Sequence, residues 1–352
     1  MDTVILKPTK EALVKASQLL ADGQLIGMPT ETVYGLAANA LDSEAVMRIF
    51  ISKNRPADNP LIVHVLDIES AAELCDLSDT AIKLMNAFCP GALTLLLPSK
   101  KNIPEVVNAG LPSIAIRIPA HPVAQALLKA CKLPLAAPSA NLSGRPSPTT
   151  AKHVFDDLNG KIPLILDGGP CEVGLESTVL SLMEPVPTVL RPGGITPEML
   201  LTVLPEVKVA DSVMRPLLQG EKVLSPGMQY RHYAPKGQLI LVSGESSNVQ
   251  SLCIKNYNSA TQQGKRACIL AFEEHLPLYL GCETLSIGRL SNPETIASRL
   301  FACLRQLDDE QRDLVLCEIL PATGIGLAIM NRLQRAASFT VIDADAIEVH
   351  NT

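Results

Sequence analysis

The chain has no tryptophan, and its 352 residues include only five tyrosines and six phenylalanines. It also lacks an excess of basic charge: the formal net charge is −6, which argues against a surface wrapped throughout by nucleic acid and leaves room only for a local basic pocket. The nine cysteines (75, 89, 131, 171, 253, 268, 282, 303 and 317) form no C-x-x-C pair and fall singly in apolar segments. They read as reduced core residues of a cytosolic protein, without a disulfide framework or a thiolate zinc site. No run approaches the ~18 apolar residues of a membrane helix. The start, MDTVILKPTKEALVK, has neither the basic region nor the long apolar core of a signal peptide, so a soluble, cytoplasmic protein with no membrane partner is expected. There is no G-x-x-x-x-G-K-[ST], no H-E-x-x-H and no G-x-S-x-G, which removes the P-loop, zinc-protease and serine-hydrolase readings. The six histidines are far apart, so no metal site built from protein side chains is expected.

What is present describes a loop-punctuated globular protein. Hydrophobic residues make up 47% and charged residues 19%, with 27 scattered prolines, far from a disordered composition. The length exceeds the roughly 250 residues at which single cores stop growing, so two domains are expected. Helical spacing of Leu13, Ala16, Leu19 and Leu20 after Thr9 predicts a helix over 10–22, closed by Gly23. A strand over 24–28 follows, then a helix over 43–53 with Ser43 as cap, then the strand LIVHV, so the stretch is expected to be a β-loop-α-β unit. Further helices are expected near 79–88, 121–131, 148–158 and 197–203, and strands at ALTLLLP, SIAIRIP, LPLAAP, IPLILDGG, GLESTVLSL and PTVLRPGG. Strands separated sometimes by helices and sometimes by turns alone predict a twisted mixed sheet with helices packed on it. Residues 208–236 read as a linker or lid. SPG and the Tyr230-Arg231-His232-Tyr233 run inside it are conspicuous where aromatics are so few. From 237 to 352 a second, smaller alternation predicts a three-layer α/β domain: QLILVSG, a helix over 247–263, RACILAF, a helix over 293–308, DLVLCEIL, a helix over 323–336 and SFTVIDA. Gly324-x-Gly326 lacks the third glycine and the downstream acid of a dinucleotide turn.

The chemistry lies in loops of residues 1–207. Lys53, Arg55, Arg117, Arg145 and Arg191 offer charge, and Thr32, Ser139, Asn141, Ser147 and Ser177 offer small polar groups. Arginine presents a fork to carboxylate or phosphate and lysine a point charge, so this set suits an anionic ligand. Arg117, a cation within an apolar strand, must face either a cleft or a partner charge. His64 in LIVHV is either a satisfied core histidine or a ligand contact. From the residues alone the conclusion is a pocket for an anionic small molecule or nucleotide, built without a P-loop.

Six ordered segments, PTETVYGLAANA, KNRPADNPLIVHV, SIAIRIP, APSANLSG, ESTVL and LRPGGI, resemble the threonylcarbamoyl-AMP synthase family, with its YrdC-like fold, over residues 5–207. SPGMQYRHYAP and LPATGIGLAIMNRLQRAA resemble the linker and the extra Rossmann-like C-terminal domain of the family's two-domain form. The resemblance implies a nucleotidyltransferase that joins L-threonine, bicarbonate and ATP, with Mg²⁺, into L-threonylcarbamoyladenylate and pyrophosphate. This product serves threonylcarbamoyl-adenosine formation at position 37 of tRNA, by way of a downstream transfer machinery. It implies threonine against Thr32, His64, Arg117, Ala137 and Ser177. It implies ATP against Lys53, Arg55, Asn59, Ser113, Ser139, Asn141, Ser147 and Arg191, with Tyr230 folded over the cavity and Arg231 nearby. Asn54 stands where family members often carry glycine. The fold has also been read as an RNA-binding surface, so a tRNA- or double-stranded-RNA-binding module without chemistry of its own is the alternative.

Overall fold

The computed structural model describes residues 2–57, 59–215 and 233–346. Tyr230, Arg231 and most of the expected linker lie outside the described residues. Two compact units are seen: one comprises residues 2–143 and 147–213, and the other runs from 233 to 346, with Gly144–Pro146 and residues 214–215 grouping with it. Among the described residues no helix is long and apolar enough to cross a membrane.

Local chemistry sets the helix ends. Thr9 caps α1 (Lys10–Ala21) by accepting the Ala12 N–H, and Gly23 follows at φ 70°. In α2 (Ser43–Lys53) the cap is Asp42 and not Ser43: its carboxylate accepts the N–H groups of Glu44 and Ala45. An ionised acid one residue earlier wins because it meets two orphan donors and the positive end of the helix dipole together. Asn54 ends α2 in the left-handed region at φ 54°, which asparagine tolerates better than most residues. The remaining helices of this unit are α3 (Ile68–Leu74), α4 (Asp79–Phe88), α5 (Glu105–Asn108), α6 (Pro122–Cys131), α7 (Ala151–Leu158) and α8 (Pro197–Leu200).

The strands of the first unit are β1 (Val4–Leu6), β2 (Ile26–Met28), β3 (Gly35–Asn39), β4 (Ile62–His64), β5 (Leu93–Pro98), β6 (Ser113–Arg117), β7 (Leu135–Ala136), β8 (Leu164–Leu166), β9 (Thr178–Ser181), β10 (Thr188–Arg191) and β11 (Lys208–Val209). They lie in the order β1-β8-β2-β3-β7-β4-β6-β5-β9-β10-β11, with parallel and antiparallel neighbours mixed. Five elements were not expected: β3, the helices α3 and α5, and the edge strands β1 and β11. GLAAN is strand β3, hydrogen-bonded antiparallel to β2, where an open loop was expected. Helix α3 and the edge strands β1 and β11 are too short to show a period in sequence.

The two faces of this sheet are covered differently. One face carries a large core with side chains from α2, α4 and α7, met by Val63, Leu95, Ile116, Leu180 and Val189. On the other face α1 and α6 bury Ala12, Ala16, Leu20, Ala124, Leu127 and Leu128 against Ile26, Met28, Leu135, Ala137 and Leu164. Farther across that face the apolar set shrinks to Ile62, Leu96, Ala115, Val179 and Leu190. Polar residues begin beside this smaller cluster.

The second unit is an all-parallel sheet, β14-β13-β15-β12-β16, built from β12 (Gln238–Ser243), β13 (Ala267–Phe272), β14 (Thr284–Gly288), β15 (Leu314–Glu318) and β16 (Val341–Asp343). With α9 (Ser246–Gln262), α10 (Pro293–Asp309) and α11 (Ile325–Ala336) it makes the expected Rossmann-like alternation. Strand β14 was not foreseen. Gly326, half of the glycine pair, has no room for a Cβ, which would meet Pro321 O at 2.2 Å, so it serves close packing.

Candidate active site

Strand register places the polar residues in one row. His64 on β4 is opposite Arg117 on the parallel β6, Arg117 is opposite Thr94 on β5, Thr94 is opposite Val179 on β9, and Val179 is opposite Arg191 on β10. Paired residues project from the same face, and Ser177, two residues before Val179, shares it. Ala137 lies two residues beyond Leu135, the antiparallel partner of His64, and therefore borders the row. Its N–H bonds to Ile62 O at 3.0 Å.

Arg117, only 4% exposed, is gripped from three sides. Its Nη2 donates to Glu31 Oε1 at 2.6 Å, its Nη1 to Thr32 Oγ1 at 2.8 Å and its Nε to Gly91 O at 3.3 Å. The partner charge is thus Glu31, which also accepts the Ala120 N–H at 3.1 Å. Burial pushes the Glu31 carboxyl up, but the Arg117 guanidinium and the hydrogen bonds pull it further down, so it sits below the usual carboxylate range. Proton counting fixes the polarity of the adjoining hydroxyls. Thr30 Oγ1 donates to Val33 O at 2.6 Å and Thr32 Oγ1 lies 2.8 Å from Thr30 Oγ1, so Thr32 must donate to Thr30 while accepting from Arg117. Toward a ligand Thr32 is therefore an acceptor.

His64 is buried, and its Nδ1 has no hydrogen-bond partner among the described residues. Burial, and then the nearby Arg117 charge, push its pKa down to about 3, so the imidazole is neutral. Ser177 Oγ lies 2.7 Å from Thr94 Oγ1, and Arg191 holds Ser177 through Nε to O at 3.1 Å, Nη2 to O at 2.9 Å and Nη2 to Oγ at 3.2 Å. Arg191, expected on the nucleotide side, is thus joined directly to Ser177, expected on the threonine side. Next to Ser177, the buried Glu176 accepts the Ser147 hydroxyl at 2.6 Å. Ser113 begins β6 on the same face as Arg117, four residues or about 13 Å from it.

The second cluster is built around Lys53, 2% exposed at the end of α2. Its ammonium donates to the carbonyls of Ser139 and Asn141, and Ser139 Oγ donates to Asn141 Oδ1 at 2.5 Å. Backbone bonds from Leu36 to Pro138 and from Ala140 to Tyr34, both 2.8 Å, zip this SAN loop to the start of β3. Arg55 reaches back to Asn59 O at 3.2 Å, and both side-chain polar atoms of Asn59, 1% exposed, have no partner among the described residues. Two cysteines that feel the charges of Glu31 and Arg117 are poor nucleophiles: burial pushes the Cys89 thiol up to about 11 and the Cys171 thiol up to about 12.

Four residues of this arrangement escaped the sequence reading. Glu31 and Thr30 were in view within PTETV, and Glu176 within ESTVL, but a loop acid or hydroxyl reads as solvated until its burial is known. Thr94 left a sharper trace, as the one hydroxyl inside the apolar run ALTLLLP.

A mixed-sheet α/β protein with a buried row of hydroxyls, guanidinium groups and a neutral imidazole, and a lysine-stapled loop beside it, has the donor and acceptor set of a site for a small polar or anionic ligand. Residues 18–193 match a family described as telomere recombination, and residues 195–338 match the C-terminal domain of threonylcarbamoyl-AMP synthase. The threonylcarbamoyl-AMP synthase of Bacillus subtilis is 46% identical over 94% of each chain, and that of Pyrococcus abyssi is 41% identical over 93% of this chain and 94% of its own. The crystal structure of P. abyssi Sua5 complexed with L-threonine matches with a TM-score of 0.90 at 39% identity, covering 97% of this chain and 98% of that one. The chain belongs to the threonylcarbamoyl-AMP synthase family, and it is an enzyme of the nucleotidyltransferase type.

Proposed function

We propose that the first unit makes L-threonylcarbamoyladenylate from L-threonine, bicarbonate and ATP, releasing pyrophosphate, in the cytoplasm and for modification of tRNA position 37. The observation that carries this assignment is the row His64, Arg117, Thr94 with Ser177, and Arg191, in which a buried imidazole nitrogen has no hydrogen-bond partner among the described residues. Buried polar atoms are almost always satisfied, and one left open in a concave site is what a ligand completes.

Threonine lies along the row in this reading. Arg117 meets its carboxylate, Thr32 accepts a hydrogen bond from its hydroxyl or amine, and neutral His64, Ser177 and the backbone at Ala137 close the pocket. The uncharged amine nitrogen bonds to the carbon supplied by bicarbonate, giving a carbamate as water leaves. A carbamate oxygen then attacks the α-phosphorus of ATP, and the bond from that phosphorus to the bridging oxygen breaks to release pyrophosphate. Removal from water on binding favours the uncharged amine over the ammonium form. Such a displacement relies on positioning and charge neutralisation. Arg55, Asn59, Ser139, Asn141, Ser147, Ser113 and Arg191 serve the nucleotide, with Lys53 holding the SAN loop in place. Mg²⁺ arrives with the ATP phosphates: among the described residues no group of three or more acids, histidines or cysteines makes a protein cage for it.

The test is to supply ¹³C-bicarbonate, ATP and L-threonine and to identify the product by mass. A threonylcarbamoyl adenylate carrying the label is expected, and AMP or ADP alone would contradict the assignment. The RNA-binding alternative predicts tRNA affinity that falls steeply with salt, so salt-insensitive or absent binding removes it.

A further inference from the structure

We propose that Glu31 is a positioning residue for substrate recognition: it aims the Arg117 guanidinium so that the N–H groups left over meet the substrate carboxylate. The proposal rests on the threonine site argued above and adds a residue to it.

The geometry is unusually complete for one ion pair. Glu31 and Thr32 are adjacent in the chain and take different ends of the same guanidinium, Oε1 on Nη2 and Oγ1 on Nη1. The second carboxylate oxygen is tied to the Ala120 N–H at 3.1 Å, and the Glu31 carbonyl accepts the Val173 N–H at 2.8 Å. The carboxylate therefore cannot swing away from Arg117 without breaking its bond to Ala120, and the Val173 bond holds the backbone that carries it. Arg117 has five N–H groups and three are engaged by Glu31, Thr32 and Gly91 among the described residues, which leaves one on each terminal nitrogen. A guanidinium is planar, so fixing three of its donors fixes the direction of the other two.

Charge makes the same point. Glu31 and Arg117 are both buried and neutralise each other, so the pair alone is balanced. A bound carboxylate then adds a negative charge that only the remaining hydrogen bonds can repay, and their strength depends on direction as well as distance. An Arg117 that turned to face Glu31 with both terminal nitrogens would lose that capacity. Thr32 prevents this by occupying Nη1, and Thr30 fixes the Thr32 hydroxyl in turn. The PTET turn thus acts as a jig for a side chain that reaches it from β6.

The experiment uses the full chain as wild type, Glu31→Gln, which keeps the shape and removes the charge, and Glu31→Asp, which keeps the charge and shortens its reach. Binding of L-threonine and of L-threonine amide, which lacks the carboxylate, is measured by calorimetry, alongside ATP binding and the thermal midpoint. The wild type is expected to prefer threonine over its amide. Glu31→Gln frees the Arg117 charge but loses its aim. The loss of aim is expected to dominate, weakening threonine binding roughly 10-fold and bringing the threonine-to-amide ratio close to one with ATP affinity unchanged, and a raised ratio overturns the proposal. Glu31→Asp, which retains a neutralising charge for the fold, is expected to give an intermediate ratio. A purely structural role lowers the thermal midpoint and the folded fraction but leaves the ratio where it was, so a wild-type ratio in both variants overturns the proposal. A wild type that binds threonine and its amide equally overturns it differently, by removing the Arg117–carboxylate contact on which it depends.

Discussion

Arg117 and His64 share one register pair but differ in their partners. Arg117 is ion-paired with Glu31 at 2.6 Å, while His64, close to the same guanidinium, is held neutral. Replacing Arg117 by alanine is expected to weaken threonine binding by about 2–4 kcal/mol, measured by calorimetry on folded protein. Unchanged affinity would return Arg117 to the role of a structural ion pair. His64 carries a pH signature whose sign follows from its depressed pKa. In the unfolded chain the imidazole takes up its proton near pH 6.5, but in the fold only near pH 3. Stability from this group is therefore complete above about pH 6.5 and is lost as pH falls toward 3, by up to about 1.4 kcal/mol per pH unit. Urea unfolding at pH 5 and pH 7 should show a smaller difference in His64→Asn than in the wild type. Much of this scale was legible in sequence: a cation inside SIAIRIP and a histidine inside LIVHV are anomalies that call for a partner. What stayed hidden was which partner, because Glu31 lies 86 positions from Arg117 and only the sheet brings them together.

Among the elements, turn and cap chemistry decides whether the site holds its shape. Asp42→Ala removes the acceptor for two N–H groups at the start of α2 and is expected to cost about 1 kcal/mol in urea unfolding. The RPGG turn is more sensitive. A Cβ on Gly193 would lie 2.3 Å from Glu176 O and 2.4 Å from Thr178 N, both backbone atoms flanking Ser177. Gly193→Ala is therefore expected to destabilise by about 1–3 kcal/mol and to weaken threonine binding, because relief of the clash must move the segment that carries Ser177. Full stability and affinity in this variant would show that the turn can yield without disturbing the row. Long helices with strong periods and clear breakers, such as α1, α4 and α10, were legible. GLAAN was not, since alanine and asparagine have little strand preference and only pairing with β2 and β7 makes it a strand. Ser43 was expected as the cap of α2, but Asp42 holds that position; both residue types suit a cap, and spacing does not reveal which one the backbone places there.

In the first unit, the mixed sheet packs one face against a large core and carries a row of buried polar residues on part of the other. The fold class was readable from the irregular alternation of strands, helices and turns, and the parallel second unit from its regular one. The assignment of a reaction came from the family to which the chain belongs, whereas composition led only to an anionic-ligand pocket. The central claim is that one site brings amino acid and nucleotide together, so that neither reacts alone. Its most direct measurement is pyrophosphate release from ATP, with L-threonine and bicarbonate omitted in turn from otherwise complete mixtures. The account predicts release only when both are supplied, and equal release without threonine would contradict it.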